Sequence, residues 1–178
     1  MPERLAEIIL KGADWKRLEN KLGVSSQQKI ERLVSRALKR AGYEYRAEVR
    51  RRIKKAEYEE NSSLTTLLKG SSLPLVNHGD LLQSISVSQE RWNEVVVGVL
   101  RTHEKANVAA ILHSGATIRV TKKMRTYFAT ILKVTPPKVG RVLRIPARPF
   151  LTKPLEDSGV KSAIMDVIDS ALKRSLEK

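Results

Sequence analysis

The sequence has no cysteine, which excludes disulfides, thiolate metal ligands and thiol nucleophiles together. Aromatic residues are only 4% of the 178 positions, so Leu, Ile and Val must fill the core and stacking surfaces are scarce. No apolar run approaches the roughly 18 residues of a membrane span, and the one in MPERLAEIILKGADW is too short for a signal peptide. The expectation is a soluble protein made in the cytoplasm, with no membrane partner. Acid is missing from one long stretch: residues 119 to 148 hold nine Lys or Arg and neither Asp nor Glu.

What is present suggests one domain, since about 100 to 200 residues is the usual size of a chain with a single core. Asp14 is placed to cap a short helix through WKRLENKL that Gly23 ends. Ser25 or Ser26 then opens a long one, with Ile30, Leu33, Val34, Ala37, Leu38, Ala41, Tyr45, Val49, Ile53 and Ala56 at three- and four-residue intervals. Gly42 inside it allows a kink or break. Residues 61–80 are rich in Ser, Thr, Gly and Pro and read as a surface loop; Lys69-Gly70-Ser71 lacks the order and upstream glycine of a phosphate loop. LLQSISVSQ and WNEVVVGVL predict a hairpin turning at Gln89-Glu90-Arg91. A brief helix from Ala106 to His113 ending at Gly115, a strand TIRVT, a helix KKMRTYFATILK and a strand VLRI stopped by Pro146 follow. Asp157 or Ser158 caps a last helix with the stripe Val160, Ala163, Ile164, Val167, Ile168, Ala171 and Leu172. The expected fold class is α+β: a mainly antiparallel sheet of about four strands, packed with a long N-terminal helix and a C-terminal helix. The regions are 1–60 (helical), 61–80 (loop), 81–152 (sheet-rich) and 153–178 (C-terminal helix).

Catalytic constellations are not visible. His78, His103 and His113 stand in three contexts without metal-ligand spacing, and each reads as a turn, capping or surface residue. There is no Gly-x-Ser-x-Gly elbow. Glu59-Glu60 and Glu156-Asp157 are adjacent pairs whose side chains diverge, and Asp166 with Asp169 is the wet side of a helix. The expectation is no enzyme, no metal and no cofactor.

The net charge of +15 is concentrated in two places. Residues 29 to 55 hold eleven Lys or Arg against Glu31, Glu44 and Glu48, and residues 119 to 148 form the acid-free run. Basic runs of this kind either contact polyanions or are simply solvated faces. Candidate polyanion contacts are Arg50, Arg51, Arg52, Lys54 and Lys55 in the first and Lys122, Lys123 and Arg125 in the second. Within RIPARPFL, Arg144 and Arg148 suit a basic recognition loop. A structural corner fits better: Pro146 ends a strand, Pro149 fixes the bend, and Phe150 and Leu151 plug the core.

Four segments in one order carry a resemblance: PLVNHGDLLQSI, Val97-Gly98, AAILHSGATIRVTKKMRTYF and IPARPFL. Over roughly residues 61 to 175 the chain resembles the phage virion-morphogenesis family, the tail-completion and neck proteins of tailed phages and Mu-like prophages. Ser114 departs from it, since family members often carry an aromatic after the histidine. The resemblance marks Gly79, Leu81, Ser84, His113 and Gly115, with Pro146, Arg148, Pro149, Phe150 and Leu151, as structural positions. It implies an α+β subunit of a homo-oligomeric ring that completes the tail or neck and enables head–tail joining, located in the virion, with other connector or tail proteins as partners and no cofactor. A sequence-nonspecific nucleic-acid-binding protein is the alternative.

Overall fold

The apolar stripe that begins at Ile30 folds as predicted as far as Ile53, with Leu33 only half-buried; Ala56, its last expected member, lies past the helix at φ 55°. In the computed structural model, which describes residues 8–11, 27–62, 65–66, 70–76, 79–99 and 106–176, helix α1 spans Gln27–Lys54. Ile30, Val34, Ala37, Leu38, Ala41, Tyr45, Val49 and Ile53 are all buried, a single continuous face along about 35 Å of helix. The WKRLENKL helix expected between Asp14 and Gly23 lies outside the described residues, as do His78 and His103.

Helix α1 does not break at Gly42. A Cβ there would lie 2.7 Å from Val95 Cγ1 and 2.9 Å from Val87 Cγ1, so the missing side chain lets the helix close onto the sheet. That sheet has three antiparallel strands in the order β1-β3-β2: β1 Ile8–Lys11, β2 Ile85–Arg91 and β3 Glu94–Val99. The central strand β3 is buried on both faces from Val95 to Val99, which is why its sequence is a valine run without polar alternation.

The hairpin is as predicted, but its turn is not at Gln89–Arg91. Strand β2 continues to Arg91 and the turn is Trp92-Asn93. Gln89 is held in the sheet by α1: Ser35 Oγ donates to Gln89 Oε1 at 3.0 Å, and Gln89 Nε2 donates to the Ser35 carbonyl at 3.4 Å. The LLQS part of the first run is helical, not extended. Gly79 adopts the left-handed conformation at φ 88° and opens the single turn α2, Asp80–Ser84, whose Leu81 and Ser84 are buried. The 61–80 stretch is not all surface either, since Pro74 and Leu75 are buried.

After α3, Ala106–Ser114, the chain makes a second, separate sheet. Strands β4, Ala116–Arg119, and β5, Val142–Ile145, pair antiparallel with helix α4, Lys122–Thr130, between them. The described residues thus hold five strands divided three and two, in place of one sheet of about four. The sequence marked β2 to β5 but not β1, which falls in the region 1–60 expected to be helical, and not which strands pair, because strand pairing is decided by where the connections run. A 3₁₀ turn, Lys153–Glu156, leads into α5, Ser158–Leu176, which packs along α1. Its stripe meets the core through Ile164, Val160, Val167, Ile168 and Leu172, but Ala163 is exposed.

Candidate functional site

The proline corner is an interior joint. Pro146 ends β5, and the chain turns inward so that Phe150 and Leu151 are fully buried. Gly115, at φ 76°, passes directly beneath: a Cβ on it would fall 2.8 Å from the Ala147 nitrogen and 2.9 Å from the Ile145 oxygen. The Arg148 nitrogen donates to the Leu112 carbonyl at 3.0 Å, binding the corner to the end of α3. His113 meets the Phe150 ring edge-on with centroids 5.4 Å apart, and its burial lowers its pKa. It is therefore a half-buried core neighbour rather than a turn or surface residue.

Arg148 is not a recognition residue. Its side chain is 4% exposed; Nε donates to the Glu59 carbonyl at 2.8 Å, and an Nη donates to the Glu60 carbonyl at 3.0 Å and to Asn61 Oδ1 at 3.3 Å. The planar fork satisfies the backbone of the chain leaving α1, a use of arginine that a point charge could not replace. Burial lowers its pKa, opposed by the nearby Glu59. Tyr45 on α1 completes the joint by donating its hydroxyl to the Leu151 carbonyl at 2.6 Å, and burial holds that phenol above its usual range. Nothing in the sequence marked this bond, which joins residues far apart in the chain.

Of the marked positions, Leu81, Ser84, Arg148, Phe150 and Leu151 are buried, and Gly79, His113, Gly115, Pro146 and Pro149 are half-buried. Gly79 starts α2, Leu81 and Ser84 are buried with Ser84 Oγ donating to the Leu81 carbonyl at 2.8 Å, and Leu75, Ile85, Val97 and Ala109 join Phe150 and Leu151 in one core.

The two basic runs differ. At the end of α1, Arg50 donates to the carbonyls of Ile85 at 3.0 Å and Gln83 at 3.4 Å. Arg51 makes two bonds of 2.6 Å to Glu48, and Arg52 bonds Glu48 at 2.7 Å and Asp157 at 2.6 Å. Hydrogen bonds from Arg51, and then from Arg52, hold the Glu48 carboxyl down at about 2 against the opposing effect of its burial. Arg52 likewise lowers Asp157, which accepts the Gly159 nitrogen at 2.9 Å and so caps α5 as predicted. Arg51 and Arg52 border a cleft of about 480 Å³ between α1 and α5, floored by Val160, Ala163, Ile164 and Val167. Lys54 and Lys55 are exposed. Lys122, Lys123 and Arg125 are exposed too, on a helix that buries none of its residues.

Among the described residues no group of three or more His, Asp or Glu is placed to hold a metal ion, and no helix is long and apolar enough to cross a membrane. Compared with protein-family models, curated proteins and solved structures, the chain matches none.

Proposed function

We propose that the chain is a structural subunit of a tailed-phage particle that completes the tail or neck and enables head–tail joining as one copy in a ring. The observation that carries this reading is the ordered set PLVNHGDLLQSI, Val97-Gly98, AAILHSGATIRVTKKMRTYF and IPARPFL. Two features support it. Leu81, Ser84, Arg148, Phe150 and Leu151 are spent on the interior, which leaves the outer surfaces to make contacts with neighbours. Strands β4 and β5 pair only with each other among the described residues, so each keeps one open edge where a neighbour can add a strand.

The test is to inactivate the reading frame in the genome that encodes it and view the lysate by electron microscopy. Filled heads and separate tails that fail to join are expected; normal joined particles would refute the proposal. The second reading is a nucleic-acid-binding module acting as a monomer, favoured by the acid-free basic run. Oligomeric state separates the two.

A further inference from the structure

Residues 116–145 stand apart from the rest of the fold. Of them only Val120 is buried, and α4 contributes nothing to the core. This arm rises from the Gly115–Ala147 crossing as a two-stranded ribbon, carries α4, and returns.

Its charge has no internal counterpart. No Asp or Glu occurs between Glu104 and Glu156, and no ion pair among the described residues involves an arm cation. The register sorts the ribbon into two faces. Ala116 opposite Ile145 and Ile118 opposite Leu143 make one apolar face; Thr117 opposite Arg144 and Arg119 opposite Val142 put both arginines on the other. Along α4, Met124 and Phe128 are half-buried, while Lys122, Lys123, Arg125, Thr126 and Tyr127 are exposed. Cationic and hydroxyl side chains of this kind are the usual contacts to phosphate oxygens. Lys122 and Lys123 also occupy a first turn that has no acid, where the helix dipole disfavours cations and a bound anion would relieve them.

We infer that the β4–α4–β5 arm, and not the end of α1, is the polyanion contact of this chain, and that its ligand is the sugar-phosphate backbone of duplex nucleic acid, bound without regard to base sequence. The arm contains no Asn, Gln, Asp or Glu, the side chains that read adenine and cytosine edges. Tyr127 is its one exposed aromatic, too little for the stacking platform a single strand requires. The arginines at the end of α1 are meanwhile engaged by Glu48, Asp157 and backbone carbonyls. The inference rests on neither reading of oligomeric state, and purified full-length chain suffices to test it.

The experiment is fluorescence anisotropy with two labelled duplexes of about 30 base pairs and unrelated sequence, titrated at salt from about 50 to about 200 mM. Both duplexes are expected to bind alike, with affinity falling at a log–log slope of about −3 to −7, close to one unit per phosphate contacted. The triple variant Lys122→Gln, Lys123→Gln, Arg125→Gln is expected to bind at least about tenfold more weakly at low salt and to flatten the slope by about 3. The control variant Arg36→Gln, Lys39→Gln, Arg40→Gln, on the exposed face of α1, is expected to stay within about twofold of the parent. Circular dichroism verifies that both variants fold. No duplex binding at low salt, or equal loss in both variants, overturns the inference. So does retention of phosphatidylserine–phosphatidylcholine vesicles in preference to DNA, or loss of self-association in the arm variant with unchanged DNA binding.

Discussion

Phe150 and Arg148, two residues apart, do opposite jobs at one joint: the first fills the core and the second satisfies the backbone around it. Phe150→Ala should destabilise by about 3 to 5 kcal/mol in urea unfolding, the usual cost of emptying a buried phenylalanine site. An unchanged midpoint would refute the anchor role. With three acceptors on it, Arg148→Ala should cost about 2 to 4 kcal/mol, and Arg148→Lys should recover little because one ammonium cannot span the fork. Gly42 tests close packing in the other direction. On helix propensity alone Gly42→Ala would gain up to about 1 kcal/mol, yet the new methyl meets two stiff valines, and a net loss of about 1 to 3 kcal/mol is expected. A gain in melting temperature would show that the helix can back away from the sheet.

Between elements, Arg52 of α1 pairs with Asp157 at the start of α5 and is held by Glu48 of its own helix, and that network has an acid signature. Glu48 has its folded pKa depressed to about 2, so its contribution is complete above the ordinary carboxylate range and is lost as pH falls towards that value. The stability difference between the parent and Glu48→Gln should therefore be constant above about pH 5 and shrink steadily between there and about pH 2. A difference independent of pH in thermal melts would mean that the carboxylate is not what matters. The arm gives a second test at this scale. Removing residues 120–141 and closing β4 to β5 with an Asn-Gly turn discards one buried side chain, Val120, and should leave the unfolding transition of the body cooperative. Loss of cooperative unfolding would show that the arm is integral to the fold.

These elements also mark what one chain reveals by itself. Helices α1 and α5 were legible because a buried face repeats at 3.6 residues, and the strands from Val95 and Val142 because β-branched runs end at turns and at Pro146. The helical turn at Asp80–Ser84 was not, since five residues are too few to show a period, and its start depends on the left-handed Gly79. The division into two sheets and the bonds Tyr45–Leu151, Arg52–Asp157 and Arg148–Glu59 join residues 89 or more positions apart, and local pattern carries no information on them. The basic run at 119–148 was plain in composition, but only the structure showed that, Arg148 apart, its cations have no ion pair among the described residues while the arginines ending α1 are engaged.

In the molecule as a whole, Leu81, Ser84, Arg148, Phe150 and Leu151 lie inside, and an acid-free basic run lies on an arm that adds almost nothing to the core. Such a division suits a part whose work is to fit against copies of itself and other particle components. Native mass spectrometry of purified chain, across a range of concentrations and with tail proteins added, should reveal one discrete higher oligomer. Persistent monomer under every condition would favour the nucleic-acid module instead. The most direct measurement is immunogold labelling of particles released from the genome that encodes the chain. The account requires gold at the junction of head and tail, several copies to each particle; particles without the chain, or label spread along the tail, would contradict it.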